Sequence, residues 1–160
     1  MDSQSLKTYK YNGARSLVLL HERHLRSLVQ TWREAKKLNL ALPATDDEDY
    51  KSLDTLLKHI LRAARGYMTW MCDKLDLPDP EINKAPEPMD IESTVDEYVT
   101  HLLEKWRLHL AEIPEDKFHT QTYTSRWGTD YCIDAMLEHA VMHPIRHEFQ
   151  LKNLIIKMRS

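Results

Sequence analysis

An all-α fold, and within it a four-helix bundle, is predicted by three observations. Only three glycines occur in 160 residues. Apolar residues recur at three- and four-residue steps over long stretches, and no short alternating runs are joined by Asn-Gly or Asp-Gly turns. A chain of this length fits one domain, residues 1–160, since domains commonly hold ~100–200 residues.

The first helix is expected from about Gly13 to about Leu40, with Leu17, His21, His24, Leu28, Trp32 and Ala35 on one face and Pro43 beyond its end. The acidic cluster Asp46-Asp47-Glu48-Asp49 suits the positive N-terminal end of a second helix. That helix turns Leu53, Leu56, Ile60, Ala63, Tyr67 and Met71 inward and stops before Pro78. Pro78, Pro80, Pro86 and Pro88 make 78–90 a stiff extended connector. At ~3.1 Å per residue it could travel ~40 Å, enough for a crossover. A third helix is expected from about Ile91 to Glu112, capped by Ser93, with Val95, Val99, Leu102, Leu103, Trp106 and Leu110 facing inward. Residues 113–129 read as an irregular loop of the length that often shapes a site. The last helix is expected from about Asp130 to Met158, with Lys157 and Arg159 suiting its C-terminal end.

Twenty-two Lys and Arg against 25 Asp and Glu give a net charge of −3, with neither sign in a long block. No basic stripe or aromatic stacking platform is visible, so no nucleic-acid partner is expected. The run Leu17-Val18-Leu19-Leu20 is far short of the ~20 residues that span a bilayer or the ~7–15 of a signal-peptide core. No membrane partner is expected, and the cytoplasm is the expected compartment. Cys72 and Cys132 form no CxxC pair and read as buried thiols. If the chain associates with itself, a twofold homodimer is the expected form.

Nine histidines occur, and His139, His143 and His147 step along the last helix at intervals of four. At ~100° per residue, His143 and His147 lie ~40° apart on one face, so both can reach one ion. They share a stripe with Met136, Ala140, Leu151, Leu154 and Met158, and therefore point into the core. Two imidazoles buried among apolar side chains cost free energy unless each finds a partner. His59, beside the apolar face of the second helix, completes a metal site if the second and last helices touch. Against this stands the ordinary reading, in which inward histidines are hydrogen-bonded core residues. His21 and His24 read as packed side chains, or as groups that orient ligands or carry protons. His101 falls on the polar side of the third helix and His109 at its stripe edge, neither with a role.

The segments Leu56-Leu57-Lys58-His59-Ile60 and Met136-Leu137-Glu138-His139-Ala140-Val141-Met142-His143-Pro144-Ile145-Arg146-His147-Glu148-Phe149-Gln150 resemble those of the DinB/YfiT-like metalloenzyme family. Its pattern is one histidine in the second helix and an HxxxH pair in the last, followed three residues on by glutamine, here Gln150. The resemblance implies an up-down-down-up bundle, for which the 78–90 connector has the required reach, and His59, His143 and His147 as metal ligands. Pro144, between the paired histidines, removes a backbone donor and should bend the helix. Glu138 and Arg146 project away from the centre of the motif.

Three neutral imidazoles leave an open position on a divalent metal ion, Zn²⁺ or Ni²⁺ first, then Mn²⁺ or Fe. The resemblance implies a small-molecule substrate and one of two chemistries, a metal-dependent hydrolase or a low-molecular-weight thiol transferase. No general base is identified, with His21 or His24 as first guesses. The alternative is a non-catalytic bundle that binds a metal or small ligand; bis-histidine haem ligation is a third reading. A pocket lined by the 113–129 loop, with Trp127 and Tyr131 near its mouth, would favour an enzyme.

Overall fold

With so few glycines, the chain closes its helices on other residues. In the structure, a computed structural model that describes residues 6–160, α1 (Asn12–Lys37) and α2 (Leu53–Lys74) end on Asn39 and Asp76, with φ of 52° and 55°. Leu40 N–H donates to the Ala35 carbonyl and Leu77 N–H to that of Cys72. These left-handed C-terminal turns normally select glycine; Asn and Asp tolerate them best among the rest.

The start of α2 differs from expectation. Ser52 and Thr55 cap it reciprocally, side chain to backbone. The acidic cluster lies ahead of the helix, where Asp47 accepts from Asp49 N–H and opens a single 3-10 turn, Glu48–Tyr50. In α3 (Pro88–Trp106), Pro88 occupies the first turn, where its missing N–H costs nothing. Ser93 is not the cap: it lies inside the helix, its hydroxyl donating to the Asp90 carbonyl. The helix stops at Trp106, and residues 107–112 continue as turns. The stretch expected to be an irregular loop holds a short α4 (Asp116–His119) and a small hairpin, β1 (Tyr123–Thr124) with β2 (Asp130–Tyr131). Because Asp130 and Tyr131 pair in that hairpin, α5 (Ile133–Arg159) begins later than expected, on Cys132, whose Sγ accepts from Ala135 N–H. Cys132 is half-buried and Cys72 buried, and both are free.

The described residues are mostly helical, and none of their helices is long and apolar enough to cross a membrane. The helix α1 runs along α5, and α2 packs against both α3 and α5. Two tryptophans tie helices to α2: from α1, Trp32 Nε1 donates to the Leu53 carbonyl at 2.8 Å, and from α3, Trp106 Nε1 donates to that of Ala64 at 3.0 Å. Each indole thus buries its ring without orphaning its N–H. The inward face of α1 is centred on Val18, Leu25, Leu28 and Trp32, leaving Leu17 and His24 half-buried. On α5, the apolar stripe fades before Met158, which is exposed. The extended connector is clamped to α3 by Asn83, whose N–H donates to His101 Nε2 and whose carbonyl accepts from Tyr98 Oη.

His21 is fully buried and stacked on Trp106, ring centroids 3.7 Å apart, with neither ring nitrogen hydrogen-bonded. Burial, helped by the neighbouring His24, pushes its pKa from 6.5 down to about 3. The folded chain therefore refuses a proton that the unfolded chain accepts. Stability from this group is complete above pH ~6.5 and lost as pH falls toward ~3, at most on the order of 5 kcal/mol. His21→Phe should keep the stack and flatten this limb. Urea midpoints at pH 7 and pH 4 for the two chains should show a smaller acid loss in the variant; equal losses would sink the assignment.

Candidate metal centre

His59 comes from α2, His143 and His147 from successive turns of α5, and the contact between those helices brings the three together. His143 Nε2 lies 3.2 Å from His59 Nε2 and 3.3 Å from His147 Nε2, and ligand atoms of all three fall within 4.8 Å of one another. Around Zn²⁺ at ~2.0–2.1 Å, tetrahedral nitrogens stand about 3.3–3.4 Å apart. The two short separations match that edge. The rings meet edge-on, with interplanar angles of 60°, 83° and 84°, so no π-stack accounts for their closeness.

A neutral imidazole nitrogen carries one proton or one lone pair. His143 Nε2 therefore cannot serve both close neighbours well, whichever tautomer it takes. Three lone pairs converging on one electrophile satisfy the set, and the chemistry of the donors fits a divalent ion. His143 and His147 are each only 6% exposed. Burial, then the nearby His147, His59, Arg146 and His139, pushes the His143 pKa down to about 2. Burial and His59 lower His147 to about 4, partly opposed by Gln150. Gln150 sits beside that ring without a hydrogen bond of regular geometry to Nδ1, which is buried and unpaired. Both rings are thus held neutral, the state that binds metal.

Sequence reasoning missed the partner of His59. Asp49 Oδ2 accepts from His59 Nδ1 at 3.1 Å, which leaves Nε2 as the lone-pair nitrogen facing His143. Arg62 Nη2 holds the same carboxylate from the far side at 3.1 Å. Carboxylates that fix a ligating imidazole in this way typically contribute ~10–100-fold in metal affinity. Asp49→Ala should weaken Zn²⁺ binding by that factor in a chelator competition, with the fold unchanged by circular dichroism; unchanged affinity would remove Asp49 from the site. The only sequence signal was the acidic cluster itself, which read as helix-end chemistry.

Pro144 does not interrupt α5, which runs unbroken through it, and the two histidines keep register. The next residues brace the helix: Glu148 is buried and accepts from Ser27 at 2.7 Å and Thr31 at 2.9 Å, both on α1, and pairs with Lys152. Burial alone would raise its pKa, but these bonds outweigh it and hold the carboxyl below its usual range.

The three histidines open on a cavity of about 580 Å³, of the size that small ligands occupy. Tyr50, Tyr67, Trp70 and Met136 wall it, and the turn of the hairpin adds Arg126 and Trp127. Trp127 stacks on His139 and reaches Tyr131 Oη with Nε1 at 3.3 Å, so the expected pair does stand at the loop side. Arg146, expected to project away, lines the cavity instead. His21 and His24 do not line it, and the first guesses for a general base are withdrawn: His21 belongs to the core beside Trp106. His139 does line it, with its pKa lowered by burial and by Arg146.

Comparison of the chain with protein-family models, with curated proteins and with solved structures gives no match, so the chemistry rests on the geometry of these residues.

Proposed function

We propose that this chain is a metal-dependent enzyme of the DinB-like kind. In this reading α1, α2, α3 and α5 form an up-down-down-up four-helix bundle that holds a divalent ion on His59, His143 and His147. The substrate is a small molecule in the adjoining cavity. The convergence of three Nε2 atoms around His143 carries the reading. The family-like segments around His59 and His143–Gln150 support the same ligands.

When bound, the metal acts as a Lewis acid and lowers the pKa of a coordinated water or thiol, which suits hydrolysis or transfer of a low-molecular-weight thiol. The chain's own residues do the rest. Asp49 orients His59, and burial keeps His143 and His147 as lone-pair donors. Trp127 and Tyr67 give the wall an aromatic surface against which a substrate can rest. His139, neutral at pH 7, can accept a proton at a ring nitrogen from within the cavity. A purely structural metal is less well supported, because structural sites are closed while this one faces an open cavity. Bis-histidine haem is disfavoured too, since nitrogens 3.2 Å apart leave no room for a porphyrin between them.

The test is elemental analysis of untagged protein purified without chelator, then after reconstitution with Zn²⁺, Ni²⁺, Mn²⁺ or Fe²⁺. Near one metal per chain is expected, with hydrolase or thiol-transfer activity that a chelator removes and metal restores. Protein that holds no metal after reconstitution overturns the proposal.

A further inference from the structure

The wall of the cavity carries three arginines and no carboxylate. Arg62 is already engaged with Asp49. Arg126, in the turn between β1 and β2, and Arg146, between the paired histidines of α5, make no ion pair or side-chain hydrogen bond among the described residues. Arg126 also borders a neighbouring cleft holding Asp73 and Asp79, without pairing with either. Arg146 shares that wall with Tyr50, Tyr67, His139, His143 and His147, and its positive charge acts to lower the pKa of each.

Two guanidinium groups on one concave surface, with no carboxylate beside them on it, focus positive potential into the cavity. Planar forks of this kind match oxyanions bidentately. The same cavity offers a flat apolar surface: Trp127 is half exposed at its edge, held by His139 and Tyr131, with Tyr67 behind. An exposed, laterally fixed indole is a ready platform for a ligand body.

We propose that the cavity takes a small organic oxyanion, carboxylate or phosphate, with its charged end on Arg126 and Arg146 and its apolar body on Trp127 and Tyr67. This rests on reading the cavity as the substrate side of the metal centre, and it narrows that substrate to an anion.

Phenylacetate, phenyl phosphate and uncharged phenylacetamide serve as probes, read by quenching of tryptophan fluorescence, on chelator-treated and on Zn²⁺-loaded protein. The anions should bind ~10-fold or more tighter than the amide, and which of the two leads identifies the oxyanion. The double variant Arg126→Gln, Arg146→Gln, both exposed positions, should erase that preference while Zn²⁺ binds no more weakly than to wild type, since neither arginine is a ligand and the charge of Arg146 opposes a cation beside His143 and His147. Equal binding of anion and amide, no binding of any probe, or a preference that survives in the variant overturns the proposal. Should Zn²⁺ fail to bind while metal-free protein still prefers the anions, the metal reading falls and the anion site stands.

Discussion

His143→Ala is expected to lower Zn²⁺ affinity by well over the ~100-fold that loss of an orienting partner can produce, the largest single loss among the three ligands. The reason is position. Its Nε2 is the atom close to both others, at 3.2 Å and 3.3 Å, so its removal leaves two donors with no shared neighbour. His59→Ala and His147→Ala should each weaken binding less. His139→Ala, one turn earlier on the same cavity wall, is the control and should bind as wild type does. Competition against a chromophoric chelator ranks the four variants in one experiment. If His143→Ala binds like wild type, the centre is not where the nitrogens converge; if His139→Ala loses the metal, the ligand set is wrong.

The histidine pair was legible because an interval of four residues on a helix has one geometric meaning, and the surrounding Met and Leu positions gave the direction. His59 was legible only conditionally, since its role depended on α2 touching α5. Asp49 lay beyond reach because its approach to His59 runs through a 3-10 turn ahead of the helix, and local pattern does not predict where such a turn aims a side chain. Arg146 was misjudged for a related reason. A helical wheel gives the direction of the Cβ, whereas a long guanidinium stem reaches round the helix toward a cavity that only the hairpin turn completes. The same wheel placed His21 inward correctly but could not say that Trp106 would cover it and keep it from the site.

Glu22→Ala should destabilise the fold by ~3–5 kcal/mol, lowering the melting temperature by about 10 °C in a chain of this size. Glu22 is 7% exposed and Arg107 6% exposed. The guanidinium meets the carboxylate with both arms, Nε to Oε2 at 2.8 Å and Nη2 to Oε1 at 2.9 Å. The pair fastens the turn after α3 to α1, and Tyr9 Oη donates to the Arg107 carbonyl at 2.7 Å to complete the clamp. Glu22→Ala takes the bidentate carboxylate away from a buried guanidinium, which is why the single variant should be so costly. Replacing both, as Glu22→Leu with Arg107→Met, removes the buried guanidinium together with its carboxylate and should recover most of the loss. Urea unfolding of wild type, Glu22→Ala and the double variant separates the cases. A single variant within ~1 kcal/mol of wild type would mean that water reaches the pair. A double variant as unstable as the single one would mean that the ion pair itself, beyond the cost of taking this carboxylate from the buried guanidinium, holds α1 to the end of α3.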